Sequence, residues 1–192
     1  MSFIKNVFAV IGFVALLLAG VGYQQFNQFI GTLDPQAGGM YWSVIKRFVE
    51  NQDMGTTMVR VVRAKPGMTP QDVISSLKSL AESQNLLFVG ESPFYKQVEA
   101  VTGQPYRFIS FLSFCDARVG KQMADYNNVY TAFMPCRIAV VEDPDGQVSL
   151  QMMDLDMMIY GGRPLPPELK AGAEKVSRTL KGLLEGAASG EF

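Results

Sequence analysis

The longest feature of the chain is a stretch with no charge, from Asn6 to Leu33, within which Val7–Tyr23 (VFAVIGFVALLLAGVGY) is almost wholly apolar. A hydrocarbon core is crossed by about 20 helical residues, so this stretch predicts a membrane-spanning helix. Gln24, Gln25, Asn27 and Gln28 interleave with Phe26 and Phe29 as the helix leaves lipid, and Pro35, Gly38 and Gly39 of LDPQAGG are expected to break it. In MYWSVIKRFVENQ, residues 40–52, the positions Tyr41, Ile45, Phe48 and Val49 recur at helical spacing. That helix either lies at headgroup level, with Tyr41 and Trp42 as interfacial anchors and Lys46 and Arg47 towards lipid phosphate, or packs on its own domain.

Beyond this point the period of the pattern changes repeatedly. TTMVRVVRA, residues 56–64, alternates as a half-buried strand before the turn Lys65-Pro66-Gly67. Thr69-Pro70-Gln71-Asp72 resembles a capping box, and Val73, Ile74, Leu77, Leu80 and Ala81 form one apolar helical stripe. LLFVGES (86–92) predicts a strand, FYKQVEAVT (94–102) a short helix closed by Gly103, and RFISFLSFC (107–115) a strand apolar enough to be central. Asp116 is placed to cap a helix through Met123, and DYNNVYTAFMP (125–135) is expected to be a loop. CRIAVVE (136–142), the turn Asp143-Pro144-Asp145-Gly146 and VSLQMMD (148–154) predict a hairpin. Leu169, Ala173, Val176, Leu180, Leu183 and Leu184 mark a final amphipathic helix.

The expected fold class is therefore α+β: a strand-helix-four-strand-helix antiparallel sheet with helices on one face, preceded by one N-terminal transmembrane helix. The expected division is an anchor over residues 1–33, a juxtamembrane linker and interfacial helix over 34–56, and one α+β domain over 57–192.

Charge sets the orientation. Lys5 is the early cation and Asp34 the first charge beyond the span, which favours a cytoplasmic N-terminus and a periplasmic domain at the inner membrane. The rival reading is a cleaved signal peptide with Gly20-Val21-Gly22 as its small-residue site, although an Ala-x-Ala site is lacking. Lys and Arg total 17 against 18 Asp and Glu, a balance that offers no footprint for a phosphate backbone, so nucleic acid is not an expected partner. The chain has no histidine, which excludes Ser-His and Cys-His catalysis. Its two cysteines, Cys115 and Cys136, lack CxxC spacing and the four-ligand pattern of structural zinc.

Residues 111–159 (FLSFCDARVG to LDMMI) resemble the core signature of the domain of unknown function 302 family, above all in Met134-Pro135-Cys136-Arg137-Ile138 followed by Glu142-Asp143 and Asp145-Gly146. The resemblance covers roughly residues 57–188. It implies a sheet of TATA-binding-protein-like architecture, in agreement with the order read from periodicity, and implies no activity. Cytoplasmic members of that family usually carry glycine where this chain has Cys115 and an aliphatic residue where it has Cys136, so the Phe-Cys and Met-Pro-Cys-Arg motifs point to a membrane-anchored branch.

Cys115 ends one predicted strand and Cys136 opens the next, which makes them neighbours if the strands pair. In an oxidising compartment they would close a disulfide loop of about 20 residues, worth on the order of 3 kcal/mol. Left free, they form a redox pair or soft ligands, with Asp116 raising and Arg137 lowering the thiol pKa. Thiolate and thioether together suit Cu(I), with Met123 and Met134 as the nearby thioethers, against a first expectation of no cofactor. Tyr126, Asn127 and Tyr130 could line a ligand cleft or partner surface, or tuck under the sheet. The function expected first is a non-catalytic accessory module, anchored in the lipid bilayer and docking onto a membrane or envelope protein complex, with homo-oligomers compatible. The alternatives are a thiol-redox or sulfur-handling protein and a soft-metal carrier.

Overall fold

The computed structural model describes residues 2–192, with side chains from Lys5 onward; Met1, the first residue of the expected anchor, lies outside them. Helix α1 (Ser2–Gly31) is a single uninterrupted rod. Its Lys5–Gly31 portion is long and apolar enough to cross a membrane, about 40 Å at 1.5 Å per residue, and none of it is buried. Phe8, Leu16 and Leu18 are each about two-thirds exposed or more, an apolar surface that water would penalise along its whole length.

Helix α2 (Ala37–Asn51) starts before the expected break has ended. Gly38 and Gly39 lie inside it, because the turn is made earlier, where the Asp34 carboxylate accepts the Gln36 N–H and its carbonyl accepts the Ala37 N–H. Of the two readings of α2, one side takes the second. Ala37 and Met40 are buried, the Tyr41 hydroxyl donates to the Gly161 carbonyl at 2.5 Å, and Arg47 pairs with Asp154 at 3.2 Å. Arg47 thus faces a protein carboxylate, where the sequence suggested lipid phosphate. Asp34, 2 % exposed, receives Lys170 at 2.5 Å. Asp154 also draws in Arg60 and Lys181, at 3.8 and 3.9 Å. The segment leaving the span is therefore bolted to the domain by two buried carboxylates.

The short helix α3 (Met54–Met58), capped by Asp53, takes the first residues of the expected strand, so β1 is only Val59–Arg63. Here the Asp53 side chain satisfies the Thr56 N–H locally, which the alternation of TTMVRVVRA conceals. Next comes α4 (Pro70–Ser83), whose Thr69–Asp72 capping box is complete. Strand β2 (Leu87–Ser92), helix α5 (Phe94–Thr102) with Gly103 at positive φ, and strand β3 (Ile109–Cys115) follow. Helix α6 (Ala117–Tyr126) leads to a 3-10 helix, Asn128–Phe133, in place of the expected loop. Strands β4 (Cys136–Glu142) and β5 (Val148–Met153) form the hairpin, then α7 (Asp156–Tyr160) and α8 (Pro167–Ser189) complete the chain.

The sheet is antiparallel in the order β1-β5-β4-β3-β2, so β4 is central and β3 lies one place off centre. Because side chains alternate across a strand, Leu112 and Phe114 of β3, Ile138 and Val140 of β4, and Leu150 and Met152 of β5 share the core face. They meet Val73, Leu77, Leu180, Leu183 and Leu184 of α4 and α8. The opposite face carries Val61, Phe111, Arg137, Ala139 and Gln151. Helix α5 reaches it, setting the Phe94 ring 5.6 Å from that of Phe111, and residues 132–135 border it further along.

Phe114 is fully buried at the centre of the core, so Phe114→Ala should lower stability by about 3–5 kcal/mol in urea denaturation. Val61→Ala, on the open face, should stay within about 0.5 kcal/mol. Asp154→Asn withdraws one counter-charge from three cations; hydrogen exchange across residues 37–51 should accelerate by one to two orders of magnitude, a loss of about 1–3 kcal/mol.

Candidate functional site

Cys115 closes β3 and Asp116 at once becomes the N-cap of α6, its carboxylate accepting the Arg118 and Val119 N–H groups. Cys136 opens β4 after the 3-10 helix and a cis Met134–Pro135 bond. The strands pair antiparallel as expected, but with Phe114 opposite Cys136, so Cys115 lies one position past the register in which the two would face each other. Both thiols are free. Of the states the sequence left open for the pair, this is the unbonded one.

The two cysteines nonetheless line one cavity of about 60 Å³ between the ends of β3 and β4 and the helices α6, α7 and α8. Five sulfur side chains border it: Cys115, Met123, Met134, Cys136 and Met158. Phe133, Leu155, Ile159 and Val176 supply much of the remaining wall, and Asp116 its one carboxylate. A Cβ on Gly120 would sit 3.4 Å from both Cys115 Sγ and Met134 Sδ, so the two sulfurs lie within twice that distance of each other. Glycine inside a helix is unfavourable by roughly 1 kcal/mol relative to alanine. That local weakness in ARVGKQM was the one sequence signal for Gly120, and Met158 had none, because α7 was not read from the pattern.

Burial dominates the electrostatics. It pushes the Cys136 thiol up to about 11, with Cys115 beside it adding to the rise. The Cys115 thiol is raised as well, by burial first and then by the Asp116 charge. Of the two opposing influences the sequence offered, the direction is upward for both thiols, and Arg137 has no part in it. Its guanidinium lies on the open face, 5.4 Å from the Phe111 ring centre. Among the described residues no three His, Cys, Asp or Glu side chains converge to hold a metal ion, so any ligand set in this cavity must draw on thioethers.

The remaining candidates separate. The Asn127 side chain accepts the Val129 N–H and caps the 3-10 helix. Tyr126 and Tyr130 place their rings 6.1 Å apart, Tyr126 exposed and Tyr130 tucked against the core. Lys5, Trp42 and Lys46 are exposed, with Trp42, Ile45 and Val49 forming an uncovered stripe on α2. A second, wider concavity of about 480 Å³ opens on the free face of the sheet beside Phe111, Phe133, Arg137, Gln151 and Met153.

Comparison with known proteins agrees with this architecture. The profile of the domain of unknown function DUF302 matches residues 50–187, a span that takes in the end of α2 and all of α3 as well as the sheet. No curated protein matches the chain. Among solved structures, the crystal structure of an uncharacterized conserved DUF302 protein from Bacillus stearothermophilus is similar, with a TM-score of 0.55 at 15% identity, covering 67% of this chain and 96% of that one. The likeness is one of fold.

A thiol near 11 holds about a hundredfold less thiolate at pH 8 than one at 9.0. Alkylation of Cys136 in the folded chain should therefore be at least that much slower than in the denatured chain, and should climb about tenfold per pH unit through pH 10, read by mass spectrometry of the labelled peptide.

Proposed function

We propose a function for a chain that belongs to the DUF302 family, the domain of unknown function: it is a membrane-tethered, non-catalytic binding module, held outside the cytoplasmic membrane and docked onto a membrane or envelope protein complex. The observation that carries the reading is the contrast between α1, with no part of Lys5–Gly31 buried, and the junction after it, where Asp34 and Asp154 are buried in ion pairs to the domain. An apolar rod of that length is stable in lipid, and a rigid junction presents the domain to neighbours in the same membrane in one pose. The Lys5 and Asp34 charges favour a cytoplasmic N-terminus.

Two further features support binding over catalysis. Both cysteine thiols are driven towards their protonated form, which weakens them as nucleophiles. The free sheet face offers a partner Phe111 and Arg137, residue types enriched at the centres of interfaces.

The test is site-specific photo-crosslinking in intact cells. A photoreactive residue at Val61 should yield adducts with a membrane or envelope protein, and one at Glu185 on the outer side of α8 should not. The chain should stay with membranes through alkaline carbonate extraction. Recovery in the soluble fraction, or an uncrosslinked monomer at both positions, would overturn the reading.

A further inference from the structure

The sulfur-lined cavity has a composition that packing alone does not demand. Methionine is a common filler of irregular core gaps, and one or two thioethers here would be unremarkable. Instead five sulfur side chains converge on one small space, two of them free thiols contributed by adjacent strands. They come from four elements distant in sequence: Cys115 from β3, Met123 from α6, Cys136 from β4 and Met158 from α7, with Met134 on the approach to β4. Gly120 adds a second, independent feature. A Cβ there would already be in contact with both Cys115 Sγ and Met134 Sδ, so atoms beyond it would have to enter the space between them.

We propose that this cavity is a binding site for one soft monovalent metal ion, Cu(I), held by Cys115, Cys136 and Met134, with Met123 and Met158 as outer thioethers. The inference deepens the reading of the domain as a binding module by naming its ligand class, but it rests on the sulfurs and not on the tether. Failure of one therefore leaves the other standing.

Ligand chemistry selects the ion. Thiolate and thioether donors favour Cu(I), whereas Zn(II) would call on imidazole or four strong donors, and Mg(II) or Ca(II) on oxygen. The chain offers no imidazole, and one of the two Asp116 oxygens is occupied in capping α6. One Cu(I) with one thiolate, its other donors a neutral thiol and a thioether, is a neutral unit beside Leu155, Ile159 and Val176. Each Cu–thiolate bond replaces one S–H bond and releases one proton to the buffer, with no electron transferred.

The experiment is anaerobic titration of the full chain in detergent micelles with Cu(I), against a chromophoric Cu(I) chelator as competitor, followed by X-ray absorption at the copper edge. The expected result is one Cu(I) per chain in a shell made only of sulfur, with one or two protons released per copper. Cys115→Ser and Cys136→Ser should each weaken binding by about a hundredfold or more, and Met134→Leu, which keeps the volume, by about tenfold. Gly120→Leu, whose side chain extends past that contact, should weaken it without removing any ligand. Circular dichroism of each variant reports on folding, and Met134→Leu keeps the proposal testable if a serine variant unfolds. Copper held through nitrogen or oxygen, or equal affinity in the wild type and the Cys115→Ser/Cys136→Ser double variant, would overturn the assignment.

Discussion

A five-stranded sheet has two faces and this chain covers mainly one, so burying Leu112, Phe114, Ile138, Val140, Leu150 and Met152 beneath α4 and α8 is the interaction on which the rest depends. At roughly 25 cal/mol for each Å² of apolar surface removed from water, such a layer is what offsets the ordering of the chain. Because the pleat forces alternate residues outward, the same strands must display Phe111, Arg137, Ala139 and Gln151 on the other side. One set of residues makes the core and its complement makes the opposite, more open face.

The sulfur cavity lies where that layer runs out, at the ends of β3 and β4, roofed by α6, α7 and α8. Its position explains its chemistry. Side chains at the margin of a core lose water without gaining hydrogen-bond partners, Cys136 more than Cys115, and both thiols are shifted towards holding their protons.

The N-terminal end follows a different rule. Helix α1 finds no protein surface to bury its side chains, whereas α2, five residues further on, is fixed by Asp34–Lys170, Arg47–Asp154 and the Tyr41–Gly161 hydrogen bond. Buried carboxylates are destabilising when left unpaired and specify geometry when paired. These pairs turn a covalent tether into a mechanical one, leaving the Trp42-Ile45-Val49 stripe of α2 uncovered beside the span.

Local signals were legible in the residues alone. The Thr69–Asp72 capping box, the Asp116 cap, the Gly103 stop, the β4–β5 hairpin and the uncharged span each depend on neighbours within a few positions, and each appears where the pattern places it. The elements that escaped, α3, the 3-10 helix at Asn128–Phe133 and α7, run for only five or six residues, too short to print a period. Gly38 and Gly39 read as breakers because propensity is a weak prior, and packing of Ala37 and Met40 overrode it. Sequence by itself thus determined the span, the fold class and the identity of the two thiols. Only the tertiary structure decided that they stand one register step apart, that Arg137 turns to the other face, and that Met134 and Met158 join them, because those facts depend on strand register and on contacts between segments remote along the chain.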